Sequence, residues 1–222
     1  MALPASGFLQ LGTDGATGRS VNSEFGYGND MASYQGVYAG KSGLAYQFPL
    51  VGNSFAMDLF YSTSKITGGS ASYGSSQTIV VPVYNTITIT CVGGSGGQEG
   101  GWGVNCSSQY VTAGLTGGGT GGVSSFGGYL SASGGSGGSG GYGGFASGNP
   151  GATTSTSFTN PIQGGSGPPS GNSIFISIGA GGSAGHGALT AFNFFGCYYP
   201  WPDSYASNGS AGSPGSVSIS WS

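Results

Sequence analysis

The sequence predicts an all-β protein in which short strands bracket long glycine-rich excursions. Two features of the chain carry that prediction. Thr86–Thr90 and Ser216–Trp221 alternate apolar and hydroxyl residues and Ser173–Ile178 places Ile at every second position, the period of two of a half-buried strand. Between such runs, glycine makes up 51 of 222 residues, well above the usual share of about 7%. The glycine is also patterned. Gly134-Gly135-Ser136-Gly137-Gly138-Ser139-Gly140-Gly141-Tyr142-Gly143-Gly144-Phe145 repeats Gly-Gly-X without a slip, and a period of three is that of the left-handed extended helix with three residues per turn.

Composition separates this chain from a disordered one. Charged residues are 4% of the total, while 13 Tyr, 12 Phe and 3 Trp are present. Disordered segments are ordinarily rich in charge and poor in aromatics. The twelve residues from Gly134 to Phe145, at about 3.1 Å each, would span roughly 37 Å. They form either a linker or one strut of a packed bundle. The strut is the expected reading, because related fragments at Val92–Gln98, Gly100–Trp102, Thr116–Val123 and Gly179–Ser183 supply neighbours for its backbone, and buried N–H and C=O groups must be paired. Tyr142 and Phe145 recur on one face at the period of three.

Taken in order, residues 1–45 are polar and short-patterned and read as a docking arm, with one helical turn at Arg19–Gly26 closed by its glycine. Residues 46–91 form a small β unit. Ala45–Val51 and Ser54–Tyr61 are aromatic and strand-like, and Gln77–Cys91 is the clearest strand, broken by a bend at Pro82. Residues 92–222 form a glycine-rich β domain. Thr116–Ser133 reads as a glycine strut leading into a short strand, and Asn149-Pro150-Gly151 and Gly167–Gly171 are turn signals. An aromatic island occupies 191–205, and Gly215–Trp221 closes the chain as a strand.

Two sets of residues resemble known families. Leu3-Pro4-Ala5-Ser6-Gly7, then Arg19-Ser20-Val21-Asn22-Ser23-Glu24-Phe25-Gly26, then Tyr38-Ala39-Gly40-Lys41-Ser42 resemble an N-terminal motif of tailed-phage tail, fibre and baseplate proteins, in the same order. Phe8–Gly12 stands where that motif usually carries Ile-Ser-Leu. Over roughly 78–222, Val81–Gly97, Gly121–Gly141, Gly171–Gly185 and the terminal Gly212–Trp221 resemble the glycine-rich domain of phage tail fibres and adhesins. The resemblance implies a virion surface protein, made in the host cytoplasm and exposed on the particle. It also implies that Leu3, Pro4, Ser6, Gly7, Arg19, Asn22 and Glu24 dock the chain to other virion proteins. A homo-oligomer, trimeric as fibres commonly are, belongs to the same expectation.

The residues exclude several function classes. Three Lys and Arg residues are too few to neutralise a phosphate track, so no nucleic acid is expected. No run approaches the roughly 18 apolar residues of a membrane span, and Met1–Gly7 lacks the regions of a signal peptide. His186 sits between glycines without a nucleophile-elbow pattern. The acids Asp14, Glu24, Asp30, Asp58, Glu99 and Asp203 are scattered, giving no glycosidase pair. Gly40-Lys41-Ser42 lacks the spaced first glycine of a phosphate loop. Cys91, Cys106 and Cys197 show no zinc spacing; Cys91 and Cys106 either bridge a glycine loop or stay as buried thiols, the expected state in a reducing cytosol. No catalytic residue, metal or cofactor is therefore expected.

The aromatic island remains as the binding candidate. Tyr198, Tyr199, Trp201 and Tyr205 offer flat faces with polar tips and Asp203 a carboxylate, suited to a host surface glycan or protein. The alternative is that the island packs against glycine struts or a sister subunit. The expected function is a tail-fibre or adhesin-like protein contacting the host surface. A structural baseplate, tail or capsid-decoration protein without a receptor is second, and an envelope polysaccharide-degrading enzyme a distant third.

Overall fold

The computed structural model describes residues 24–25, 34, 37–41, 44–48, 63–100, 116–139, 146–186 and 208–222. Eleven strands lie among them: β1 (Tyr38–Lys41), β2 (Leu44–Gln47), β3 (Thr63–Lys65), β4 (Gly69–Tyr73), β5 (Gln77–Val80), β6 (Thr86–Val92), β7 (Ser124–Phe126), β8 (Leu130–Ala132), β9 (Thr153–Thr159), β10 (Ser173–Ser177) and β11 (Ser216–Trp221). The fold is all-β, and every strand pair is antiparallel.

β1, β2 and β3 make a small sheet in the order β2-β1-β3. Its surroundings are aromatic: Phe25, Tyr34 and Phe48 are buried, and the Phe25 ring meets the other two edge to face at 6.3 and 5.8 Å between centroids. Glu24 and Phe25 are helical, within the turn expected at Arg19–Gly26. Glu24 Oε1 accepts the Lys65 N–H at 3.2 Å.

The remaining strands form two four-stranded sheets, ordered β4-β11-β6-β9 and β5-β10-β7-β8. Their inner faces share one core. Ile87, Ile89 and Cys91 of β6 and Val217 and Ile219 of β11 meet Phe126, Ala132, Ile174 and Ile176 of the other sheet. Alternation sends the intervening residues outward, where Thr88 and Thr90 bond across to Ser157 and Ser155 at 2.7 and 2.8 Å. The bend at Pro82 has a clear purpose. It carries the chain out of the sheet containing β5 and into the one containing β6.

At the end of the sandwich where β6 starts and β11 finishes, a polar cluster fixes the loop after β9. Asn160, 2% exposed, donates through Nδ2 to Tyr84 O at 2.9 Å and to Ser170 Oγ at 2.8 Å, and its Oδ1 caps a 3-10 turn at Pro161–Gln163. The Tyr84 hydroxyl donates to Pro168 O at 2.6 Å.

Two buried acids make stability sensitive to alkali. Burial pushes the Cys91 thiol up, opposed by a backbone hydrogen bond at Phe126. Burial also pushes the Tyr84 phenol up, with Tyr129 adding to the effect. In the unfolded chain both recover ordinary values, so above those values the unfolded state releases protons that the folded state keeps. The contribution is complete below the unfolded pKa and is lost as pH rises. The urea midpoint is expected to fall from about pH 8 upward, and Cys91→Ala to remove the earliest part of that slope. A midpoint that rises through this window would contradict the assignment.

Candidate functional site: the distal end of a six-strut bundle

Beyond the other end of the sandwich, six strands continue as glycine-rich extended segments. Strut 1 (93–99) prolongs β6, strut 3 (133–139) prolongs β8 and strut 5 (179–186) prolongs β10. Struts 2 (116–122), 4 (146–152) and 6 (208–215) run back into β7, β9 and β11. Each is about 22–25 Å long at 3.1 Å per residue. None has a helix or ladder of its own, so their backbone groups must be paired between struts.

The pairing follows the period of three. Strut 1 donates from Gly93, Gly96 and Glu99 to Ala152, Asn149 and Ala146 of strut 4. It donates from Gly94 and Gly97 to Gly122 and Gly119 of strut 2, and from Ser95 and Gln98 to Ser213 and Ser210 of strut 6. It accepts from Gly135 and Gly138 of strut 3 and from Gly182 and Gly185 of strut 5. Further bonds join struts 4 to 3, 3 to 2, 2 to 5 and 5 to 6, at 2.7–3.2 Å. Strut 1 is therefore the axis, with the other five around it in the order 4-3-2-5-6.

This lattice decides where glycine is required. A Cβ on Gly93 or Gly96 would overlap the carbonyl groups of Ser133 or Ser136 in strut 3, and one on Gly94 or Gly97 those of Ala180 or Ser183 in strut 5. The same geometry places glycine Cα–H groups against neighbouring carbonyl oxygens, a weak attraction that recurs through the bundle. Struts 1, 2 and 3 carry two glycines per triplet. Struts 4 and 6 end the ring and need only one: Gly148 and Gly151, and Gly209, Gly212 and Gly215, each facing strut 1 or its junction with β6. Asn149-Pro150-Gly151, expected as a turn, is instead part of extended strut 4. Proline fits there because its fixed φ is close to that of the threefold helix.

The bundle brings three chain excursions to one end. Residues 101–115, 140–145 and 187–207 lie outside the described residues, but the positions that flank them are fixed. Glu99 is bonded to Ala146, the His186 N–H to Thr116 Oγ1 at 2.7 Å, and Gly209 to Gly185. Glu99, 7% exposed, is the only charged side chain among the described residues from 66 onward. His186 is exposed and tied down through its backbone. These residues also contain no cluster of three metal-ligating side chains and no helix long and apolar enough to cross a membrane.

Tyr198, Tyr199, Trp201, Asp203 and Tyr205 fall in the 187–207 excursion, outside the described residues. Leu3, Pro4, Ser6, Gly7, Arg19, Asn22, Asp58, Cys106 and Cys197 also lie outside the described residues. The described part of the Gly134–Phe145 repeat, 134–139, is strut 3. Cys91 is a free, buried thiol. The sequence did not point to strut 1 as the axis, since strut 3 carries the same unbroken Gly-Gly-X pattern. Comparison with protein-family models, with curated proteins and with solved structures finds no match.

Proposed function

We propose that this chain is a surface protein of a tailed-phage particle, of the tail-fibre or adhesin type, that contacts the host through its strut-borne tips and does no catalysis. The observation that carries this reading is the polarity of the fold. All three excursions leave and re-enter at the distal end of the bundle. The link from β3 enters β4 at Gly69, which pairs with Trp221, and Ser222 bonds to Thr86, so that connection lies at the opposite end. Between them stands a sandwich continued by hydrogen-bonded struts, a spacer that holds tips away from an attachment point. The excursions contain Trp102, Tyr110, Tyr142, Phe145 and the aromatic island, with Asp203 as their single charged residue. Such a surface suits a sugar or an apolar protein face, since aromatic rings supply contact area at low entropic cost. The N-terminal residues, by their resemblance, would join it to the particle.

The test uses labelled full-length chain on intact bacterial cells, beside a variant whose residues 187–207 are replaced by a short Gly-Ser linker. The chain is expected to bind cells of strains its particle infects and to block infection. The variant is expected to keep its thermal transition and lose at least about tenfold in binding, the equivalent of about 1.4 kcal/mol. Folded full-length chain that neither binds those cells nor reduces infection would leave a structural part without a receptor.

A further inference from the structure

A threefold strut has six lateral neighbours in a hexagonal array, and strut 1 has five among the described residues. Its donors point to struts 4, 2 and 6, and its acceptors to struts 3 and 5 in the places between. The remaining place lies between struts 4 and 6. Gly93 O and Gly96 O, the third acceptor row of strut 1, take no backbone N–H among the described residues. The side chains at the third position of each triplet, Ser95 and Gln98, leave strut 1 on that side, since the Cβ directions at the other two positions run to struts 3 and 5. There they cap strut 6. Ser213 N–H donates to Ser95 Oγ at 2.7 Å and Ser210 N–H to Gln98 Oε1 at 3.2 Å.

We propose that Ser95 and Gln98 close this sixth place, so that a glycine strut of a second copy cannot enter it during folding. The chain needs such a device. It carries several interchangeable glycine segments of the same period, and its low charge gives two copies little mutual repulsion. An open place offering unpaired carbonyls would accept a foreign strut as readily as its own, the strand-exchange hazard of repetitive folds. Any Cβ at 95 or 98 would stand where the entering strut's carbonyl must lie, by the same overlap that forbids one at Gly93, Gly94, Gly96 and Gly97. Bulk closes the place, and the polar heads satisfy strut 6. This holds whatever the tips bind.

Two variants separate bulk from capping. Ser95→Ala with Gln98→Ala keeps a Cβ at each position and removes both caps; Ser95→Gly with Gln98→Gly removes both. Each full-length variant, and the natural chain, is refolded dilute and concentrated as a mixture of two differently tagged copies. The glycine variant is expected to form mixed species, in excess of those of the natural chain, whose share rises several-fold with concentration, while the alanine variant keeps the assembly state of the natural chain. A glycine variant that refolds at high concentration to the same assembly state as the natural chain overturns the proposal. So does an alanine variant that associates equally, since the caps alone would then be responsible. If the double glycine variant does not refold, Gln98→Gly alone, which opens the distal half of the place, is read in the same way.

Discussion

Gly96→Val is expected to cost at least about 3 kcal/mol, the upper range for forcing a side chain into a packed interior. Gly96 sits in the middle of the axial strut. Its N–H is bonded to Asn149 O at 2.9 Å, and its Cβ direction meets the Ser136 carbonyl. The obstacle is backbone, so no rotamer change relieves it. Strut 3 must move, and doing so breaks the bonds from Gly135 and Gly138 to strut 1 and from Asn149 to Ser136. Thr120→Ala, at an exposed third position of strut 2, removes no such contact and is expected to stay within about 0.5 kcal/mol of the natural chain. Urea unfolding of the two variants checks the contrast. Similar costs would mean that the struts are not close-packed.

Phe126→Ala is the second large effect, about 3–5 kcal/mol for deleting a buried aromatic ring. Phe126 is fully buried between the sheets and pairs with Leu130 across the turn that joins β7 to β8. Those strands continue into struts 2 and 3, so a cavity in the sandwich loosens the anchorage of both. The loss is therefore expected to appear in struts and sheets together. Native-state amide exchange checks this: protection at Gly97 and Gly121 should fall by the same free energy as at Ile89 and Ile176. Struts that keep their protection while the sheets lose theirs would show two independent units.

Local pattern made part of this fold legible. Thr86–Thr90, Ser173–Ile178 and Gly215–Trp221 alternate because one face is buried and the other wet, and each proved to hold a strand of the sandwich. The Gly-Gly-X period announced threefold struts for the same reason, since struts 1 and 3 bury two side-chain positions of each triplet and leave the third free. β9 was not legible. Thr153–Thr159 is hydroxyl-rich on both faces, with Phe158 its one large apolar residue, and it is held by pairing with β6 along its whole length. Nor was the identity of the axis. Which strut lies inside follows from the strand orders β11-β6-β9 and β10-β7-β8, a non-local property that a repeat within one segment does not encode. The number of glycines per triplet does carry the difference between struts 1, 2 and 3 and the terminal struts 4 and 6. At the candidate site, the aromatic composition was plain in the sequence, whereas the gathering of three excursions at one end needed the sheet topology.

Amide exchange in the native protein tests the central claim, a hydrogen-bonded glycine bundle, most directly. All seven N–H groups from Gly93 to Glu99 donate to neighbouring struts, so an unbroken run of protected amides should continue from β6 through strut 1. In strut 3, Gly135 and Gly138 donate inward while Gly134, Ser136 and Gly137 donate to no backbone carbonyl among the described residues, so protection there should recur every third residue. That contrast between a fully protected axis and a one-in-three periphery is the predicted result. Rapid exchange at every amide of both segments would make them linkers and contradict the account.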